Sequence, residues 1–339
     1  MKPFQNAIIC MFILFVIFVS GCINNTSTLE LGNGVIIKDY NIDFSNVYSG
    51  ECVDISVLLK NTGSVDAKQV FAEMLGIEQD WYDGKSWGKG CKSEDGGPWT
   101  GWEKSANEPQ CRWNPGQQSY SLSAPDPSRG VDGETTTCSW SYVAPEVPSH
   151  TSVTYTPTIR VFYQYETDVV KAVTLMSQDE MKSLVKQGKP LPIDTQTSTR
   201  SPIKIDVNTD TPLRIYTDKV EFPITISIEN IGGGITCVGY SSWDNIKDCR
   251  TSQQSAEKSA WRKIRIELDA DNIIHLSDDC REPLELSLYK GKSNKITCTA
   301  TVYSSDLPSQ RVKALINVHA YYNYIIDKEI TITVHGSVS

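Results

Sequence analysis

One alternating segment occurs twice in this chain, and that duplication narrows the fold more than any other feature. Ile55, Val57 and Leu59 alternate before Asn61-Thr62-Gly63, and Ile224, Ile226 and Ile228 alternate before Asn230-Ile231-Gly232. A single offset relates every member of the two sets. Near the end of each half a second match appears, Phe162-Tyr163-Gln164-Tyr165 against Tyr321-Tyr322-Asn323-Tyr324. Each is followed by an aspartate (Asp168, Asp327) and another alternating run, Val173/Leu175 and Ile332/Val334. Cys138 and Cys298 stand at nearly equal distances ahead of the tyrosines. The chain therefore reads as a unit of about 130–150 residues, an ordinary domain size, written twice.

Each unit is built from short period-two runs, among them Val53 to Val57, Lys263 to Leu268, Lys295 to Val302, Ala314 to Val318 and Glu329 to Val334. Alternation of this kind turns one face to a core and the other to water. Breaks at Gly, Pro, Asn and Asp every ten residues or so predict an all-β fold of antiparallel sandwiches. Between the units, Ser177-Gln178-Asp179-Glu180 has the pattern of a capping box, and Gly188 is placed to end the short helix it opens. Pro190, Pro192 and the polar run Asp194 to Ser201 then read as linker. The expected organisation is a first domain over 35–176, a helix and linker over 177–202, and a second domain over 203–336.

Residues 1–22 set where such a chain works. Lys2 is followed by an apolar run from Ala7 to Val19 and then by Ser20-Gly21-Cys22. The run fits the ~7–15 apolar residues of a secretion signal and falls short of the ~20 a spanning helix needs. Val19-Ser20-Gly21-Cys22 is similar to the lipobox of prokaryotic lipoproteins, in which the cysteine becomes the acylated N-terminus. Two acyl chains on Cys22 suffice for stable anchoring. The competing reading is an uncleaved membrane helix with Cys22 a free thiol. Under either reading the remainder is extracytoplasmic, with residues 23–34 as tether. Asn24-Asn25-Thr26-Ser27 holds two overlapping glycosylation patterns, which suit a solvated segment.

Beyond Cys22, the cysteines fall four and four: Cys52, Cys91, Cys111 and Cys138, then Cys237, Cys249, Cys280 and Cys298. An even number per half in an exported chain reads as two disulfides per domain. Of the three connectivities open to each set, the favoured one places Cys91–Cys111 and Cys237–Cys249 as clips within insertions. Cys52–Cys138 and Cys280–Cys298 would then tie core strands. Metal binding is disfavoured, since no Cys-x-x-Cys pair occurs and no histidine stands at ligand spacing. The formal net charge of −9 argues against nucleic acid and against adsorption to anionic lipid, since both require basic patches.

The stretch Ser49-Gly50-Glu51 and Val57-Leu58-Leu59-Lys60-Asn61-Thr62-Gly63-Ser64-Val65-Asp66-Ala67-Lys68-Gln69-Val70 resembles the CARDB/NEW3-like immunoglobulin-type domains of archaeal and bacterial surface proteins. There a strand ends in a Lys-Asn-Thr-Gly turn and another begins after an Ala-x-x-Val step; Asn and Gly tolerate the left-handed backbone such turns need. In the second half the match thins to Glu229-Asn230-Ile231-Gly232, and both halves depart from the pattern through cysteine-bearing insertions. The resemblance implies two tandem Ig-like sandwiches in an extracytoplasmic setting. Such modules serve as spacers or adhesive units, so no activity carries over.

The insertion over 81–113 holds Trp81, Trp87, Trp99, Trp102 and Trp113 among many glycines, with Cys91 and Cys111 inside it. Exposed tryptophans stack on sugars and partner surfaces. The alternative is a mini-core that holds a long loop to the sandwich. Asp269, Asp271, Asp278 and Asp279 could gather oxygens for calcium, but they match no ion-binding loop signature, and turn roles suit them better. No nucleophile, metallopeptidase or phosphate-loop motif occurs, and no cofactor is expected. The reading is a non-enzymatic lipoprotein, held by membrane lipid and contacting an envelope glycan or surface protein. The alternative is an extracellular hydrolase with paired carboxylates in a cleft between the domains.

Overall fold

A computed structural model describes residues 32–77, 81, 120–239, 245–251, 261–288 and 293–337. The first half contributes β1 (Val35–Ile42), β2 (Asn46–Tyr48), β3 (Cys52–Asn61), β4 (Ala67–Leu75), β5 (Tyr120–Leu122), β6 (Thr135–Val143), β7 (Ser152–Tyr155) and β8 (Thr158–Ser177). Helix α1 (Gln178–Lys186) and β9 (Thr195–Ser198) follow. The second half contributes β10 (Ile203–Asn208), β11 (Leu213–Ile215), β12 (Lys219–Asn230), β13 (Ile235–Cys237), α2 (Ile246–Thr251), β14 (Lys263–Ala270), β15 (His275–Leu276), α3 (Asp278–Arg281), β16 (Leu284–Ser287), β17 (Ser293–Tyr303), β18 (Arg311–Glu329) and β19 (Ile332–His335). The fold is all-β and sandwich-like, as the alternation requires.

The duplication is visible strand by strand. Sheet β1-β3-β6 in the first half corresponds to β10-β12-β17-β15 in the second. Each inner strand ends in the same turn chemistry. Asn61 Nδ2 donates to Val65 O (2.8 Å) and to Leu122 O (2.9 Å), while its Oδ1 accepts from Gly63 N (3.1 Å). Asn230 repeats this, donating to Gly234 O (2.8 Å) and accepting from Gly232 N (3.2 Å). A side-chain amide thus supplies both the donor and the acceptor that the turn backbone leaves unpaired.

The halves are joined by strand exchange. β8 and β18 pair antiparallel along the whole of β18, with Tyr163 opposite Tyr324 and Tyr165 opposite Tyr322. Gln164 faces Asn323, its own counterpart in the repeat, so a pseudo-twofold axis passes between them. Past that axis each long strand enters the other half. The later part of β8 lies between β18 and β11, which it meets in parallel at Leu213↔Leu175. Reciprocally, β19 lies between β7 and β2 of the first half, parallel to β2 at Val334↔Val47. Val173 and Leu175 are buried on one side of the exchange and Ile332 and Val334 on the other. Each side chain so buried contributes about 1.5–3 kcal/mol. One continuous core spans both halves.

Half of the capping box forms: Glu180 N donates to Ser177 Oγ (3.2 Å), but Ser177 N donates to Gln310 O (2.8 Å) and not to the Glu180 carboxylate, and Gly188 adopts φ +66° behind the helix. The segment read as linker is partly ordered otherwise, because β9 pairs with β8 over Val169 to Ala172.

Candidate functional site

Of the insertion tryptophans, Trp81 is described, while Trp87, Trp99, Trp102 and Trp113 lie outside the described residues, as do Cys91, Cys111 and Cys22. Trp81 is not a binding platform. It is 3% exposed and packs edge-on against Tyr155 (centroids 5.2 Å) and Tyr142 (6.5 Å). Two T-shaped contacts to rings on β6 and β7 seat the indole in the first half's core and pin the start of the insertion there.

In the second half the disulfides pair as favoured, Cys237–Cys249 and Cys280–Cys298, each with Cα atoms 6.0 Å apart. In the first half the favoured Cys52–Cys138 pairing is wrong. Both are disulfide-bonded, but β3–β6 register sets Cys52 opposite Val143 and Cys138 opposite Val57. Five residues of strand separate the two sulfurs, far beyond the ~7 Å Cα limit of a bridge. Their partners lie outside the described residues.

A hydrolase cleft between the halves would need an open junction. The junction instead holds the four repeat tyrosines, Tyr163, Tyr165, Tyr322 and Tyr324, all buried, with centroid spacings of 5.6 Å for Tyr163–Tyr324 and 6.2 Å for Tyr322–Tyr324. Tyr322 Oη and Thr167 Oγ1 lie 2.8 Å apart, and Thr167 Oγ1 and Ser201 Oγ 2.7 Å apart. Gly234 N donates to Tyr324 Oη (2.9 Å). Burial pushes the Tyr324 phenol up to about 12 and that of Tyr322 higher still. These hydroxyls stay neutral and serve as structural donors and acceptors.

Of the acidic residues weighed for calcium, Asp271 acts in a turn, Asp269 lies in β14, and Asp278 and Asp279 open α3. Asp271 Oδ2 accepts from Leu315 N (2.8 Å), and Asp278 pairs with Arg281 (3.4 Å) at α3. No cluster of three or more metal-ligating side chains occurs among the described residues. His275 and Asp306 form a pair at 2.9 Å, which holds the carboxyl below its usual range. His335 Nδ1 sits 2.7 Å from Ser152 Oγ, so the exchanged β19 is pinned to β7 by side chains as well as backbone.

One described surface feature is absent from the sequence reading. A hollow of about 340 Å³ lies between α1 and β11, lined by Gln178, Met181, Lys182, Val185, Lys186 and Arg214. The five helix positions follow an i, i+3, i+4, i+7, i+8 spacing, the stripe that ordinarily faces a core. Here the core side of α1 is supplied by Leu184, and the stripe is open. Val185 is 62% exposed. Lys182, Lys186 and Arg214 form no ion pair among the described residues, although Lys204 and Arg265 elsewhere bond to Asp206 and Glu267. The Arg214 guanidinium instead stacks over Tyr216 at 5.0 Å. Arg214 and Arg311 also flank Met176 of β8 in register. The arrangement offers an apolar floor with a cationic rim. The helix stripe was the signal in the sequence, and a whole-chain charge count concealed the rim.

Among the described residues no helix is long and apolar enough to cross a membrane. No protein-family model matches the chain, and no curated protein matches it in sequence. Among solved structures, an alpha-2-macroglobulin from Salmonella is similar at 10% identity and TM-score 0.19, covering 90% of this chain and 23% of its own. The alpha-2-macroglobulin of Escherichia coli, trypsin-activated, aligns at 8% identity and TM-score 0.18, over 88% of this chain and 24% of its own. The CupB6 tip adhesin from Pseudomonas aeruginosa aligns at 11% identity and TM-score 0.15, over 91% and 96%. This chain thus spans about a quarter of the macroglobulins it matches. Likenesses this distant carry nothing about function.

Proposed function

We propose that this protein is an extracytoplasmic lipoprotein of the cell membrane, anchored through Cys22 and working as a non-enzymatic binding or envelope-structural module. Its halves would be CARDB/NEW3-like immunoglobulin-type units fused by strand exchange. The observation that carries the reading is the conjunction of Val19-Ser20-Gly21-Cys22 behind a short apolar run with a disulfide-bonded β-sandwich body. Disulfides persist in oxidising compartments, and a lipobox supplies the route to one. The closed, tyrosine-packed junction weighs against the hydrolase alternative.

The test is mass spectrometry of the protein from its native membrane. A diacylated Cys22 as first residue is expected; an intact Met1 on an unacylated chain overturns the anchor. Non-reducing peptide mapping tests the oxidised body. Cys237–Cys249 and Cys280–Cys298 peptides are expected, with Cys52 and Cys138 each joined to Cys91 or Cys111. Free thiols at these positions would place the chain in a reducing compartment. For the binding role, glycan-array signals from the wild type should fall with Trp87→Ala or Trp99→Ala. Equal signals, or none, remove the insertion as the contact surface.

A further inference from the structure

We propose that the hollow beside α1 docks onto the anionic lipid surface of the membrane that holds the chain, with head groups neutralising Lys182, Lys186 and Arg214 while Met181 and Val185 enter the head-group layer. This rests on the anchored reading above.

Three features point to this occupant. The first is the pairing of chemistries on one helix face. A membrane-surface helix shows an apolar stripe bordered by Lys and Arg, which meet phosphate-bearing head groups while the stripe meets the acyl boundary. α1 has this pattern turned outward, with Lys182 and Lys186 beside Met181 and Val185 and with Arg214 facing them across the hollow. Ile193, in the segment that leaves the helix, is exposed by 85% and adds apolar surface nearby in sequence.

The second feature is charge. The chain as a whole carries −9, so an anionic surface repels most of it. Fields in physiological salt fade over about 8 Å, however, so only the charges nearest the lipid decide the contact. A local rim of unpaired cations on an acidic body favours the orientation that turns this rim to the lipid. Each basic residue at an anionic leaflet raises association about fivefold.

The third is reach. Residues 23–31 separate Cys22 from the first described residue, Gly32, whose N–H donates to Thr62 O (2.8 Å). Nine residues extend at most about 30 Å. An acylated chain would therefore keep Gly32 within that distance of the bilayer and leave the body free to turn α1 toward it. The contact is then effectively intramolecular, and even a weak patch is occupied when tethering supplies an effective concentration of about millimolar.

The experiment uses the full acylated protein reconstituted in phosphatidylcholine vesicles, with and without phosphatidylglycerol. An amine-reactive label is read by mass spectrometry at Lys182 and Lys186 against exposed Lys295 on β17. Phosphatidylglycerol should lower labelling of Lys182 and Lys186 several-fold and leave Lys295 unchanged. High salt should restore it, and Arg214→Glu should abolish most of the protection. Equal labelling in the two vesicle types, or protection that survives Arg214→Glu, overturns the docking. Protection found in native envelopes but in neither vesicle points to an acidic protein partner and also overturns it. A chain that does not sediment with phosphatidylcholine at all overturns the anchor instead. Protection by anionic vesicles in that case supports the docking alone.

Discussion

Arg160–Asp327 and Asp168–His319 occupy equivalent places on either side of the pseudo-twofold axis, yet one is a fixture and the other an ornament. Both pairs lie four residues from the Gln164/Asn323 centre of the β8–β18 ladder. Arg160 donates through Nε and Nη2 to the two carboxylate oxygens of Asp327 (2.7 and 2.6 Å) and lies 5.4 Å from the centroid of Trp261. Its side chain is 9% exposed. His319 makes one contact to Asp168 (2.7 Å) with its ring 39% exposed. Duplication preserved the aspartate at both sites and let its partner diverge with the local burial. Where Trp261 covers the ladder, a planar, permanently charged fork was needed. Where water reaches it, an imidazole serves.

The largest effect should come from breaking the exchange that carries both pairs. Leu175→Ala and Ile332→Ala each remove a fully buried side chain from the half that receives it, and each should cost about 3 kcal/mol. Chemical denaturation should still show one transition for both, since sheet and core are shared. Two separated transitions would mean that the halves are independent domains after all. Next comes Asp327→Ala, which takes the carboxylate away from a buried guanidinium. It should cost about 2–3 kcal/mol by the same assay, the buried-pair value reduced for a half-exposed partner.

Lys60–Asp132 (2.7 Å) falls between the two ladder pairs in exposure, with the lysine 2% and the aspartate 51% exposed. The bond from Lys60 holds the Asp132 carboxyl below its ordinary 3.8. A folded value depressed in this way stabilises the fold above the unfolded value and loses that contribution as pH falls through the folded one. Asp132→Asn should therefore cost about 1 kcal/mol at neutral pH, after allowance for solvent, and the gap to wild type should close below pH 3.8 in a urea series. The smallest effect is expected from His319→Gln, below about 0.5 kcal/mol, as for other exposed pairs. A cost near that of Asp327→Ala would erase the contrast between the two ends.

Much of the architecture is legible in the residues. Alternation names the strands, Asn61 and Asn230 mark the turns, and Ser177 with Gly188 brackets α1. Alternation says which face is buried and nothing about which strand lies alongside, so the exchange of β8 and β19 could not be read from Val173/Leu175 or Ile332/Val334. The same gap explains Cys52 and Cys138. Both lie on paired neighbours, but register decides whether sulfurs meet, and register is a property of two strands together. The hollow at α1 escaped for a different reason. Met181 and Val185 have the spacing of a core stripe, and only the tertiary placement of Leu184 shows which side of the helix the core takes.

The reciprocal strands also set an order of events for a chain made from one end. The sheet formed by β2 and β7 lacks its middle member until β19 arrives from the far half of the sequence. That sheet cannot close while the trailing half is still being delivered, although β1, β3 and β6 already pair within the leading half. The nascent product must stay soluble with that edge unpaired until β19 is made, which exposes it to aggregation and to chaperone capture in the interval. Deleting β19 alone would then leave β2 and β7 without their shared partner.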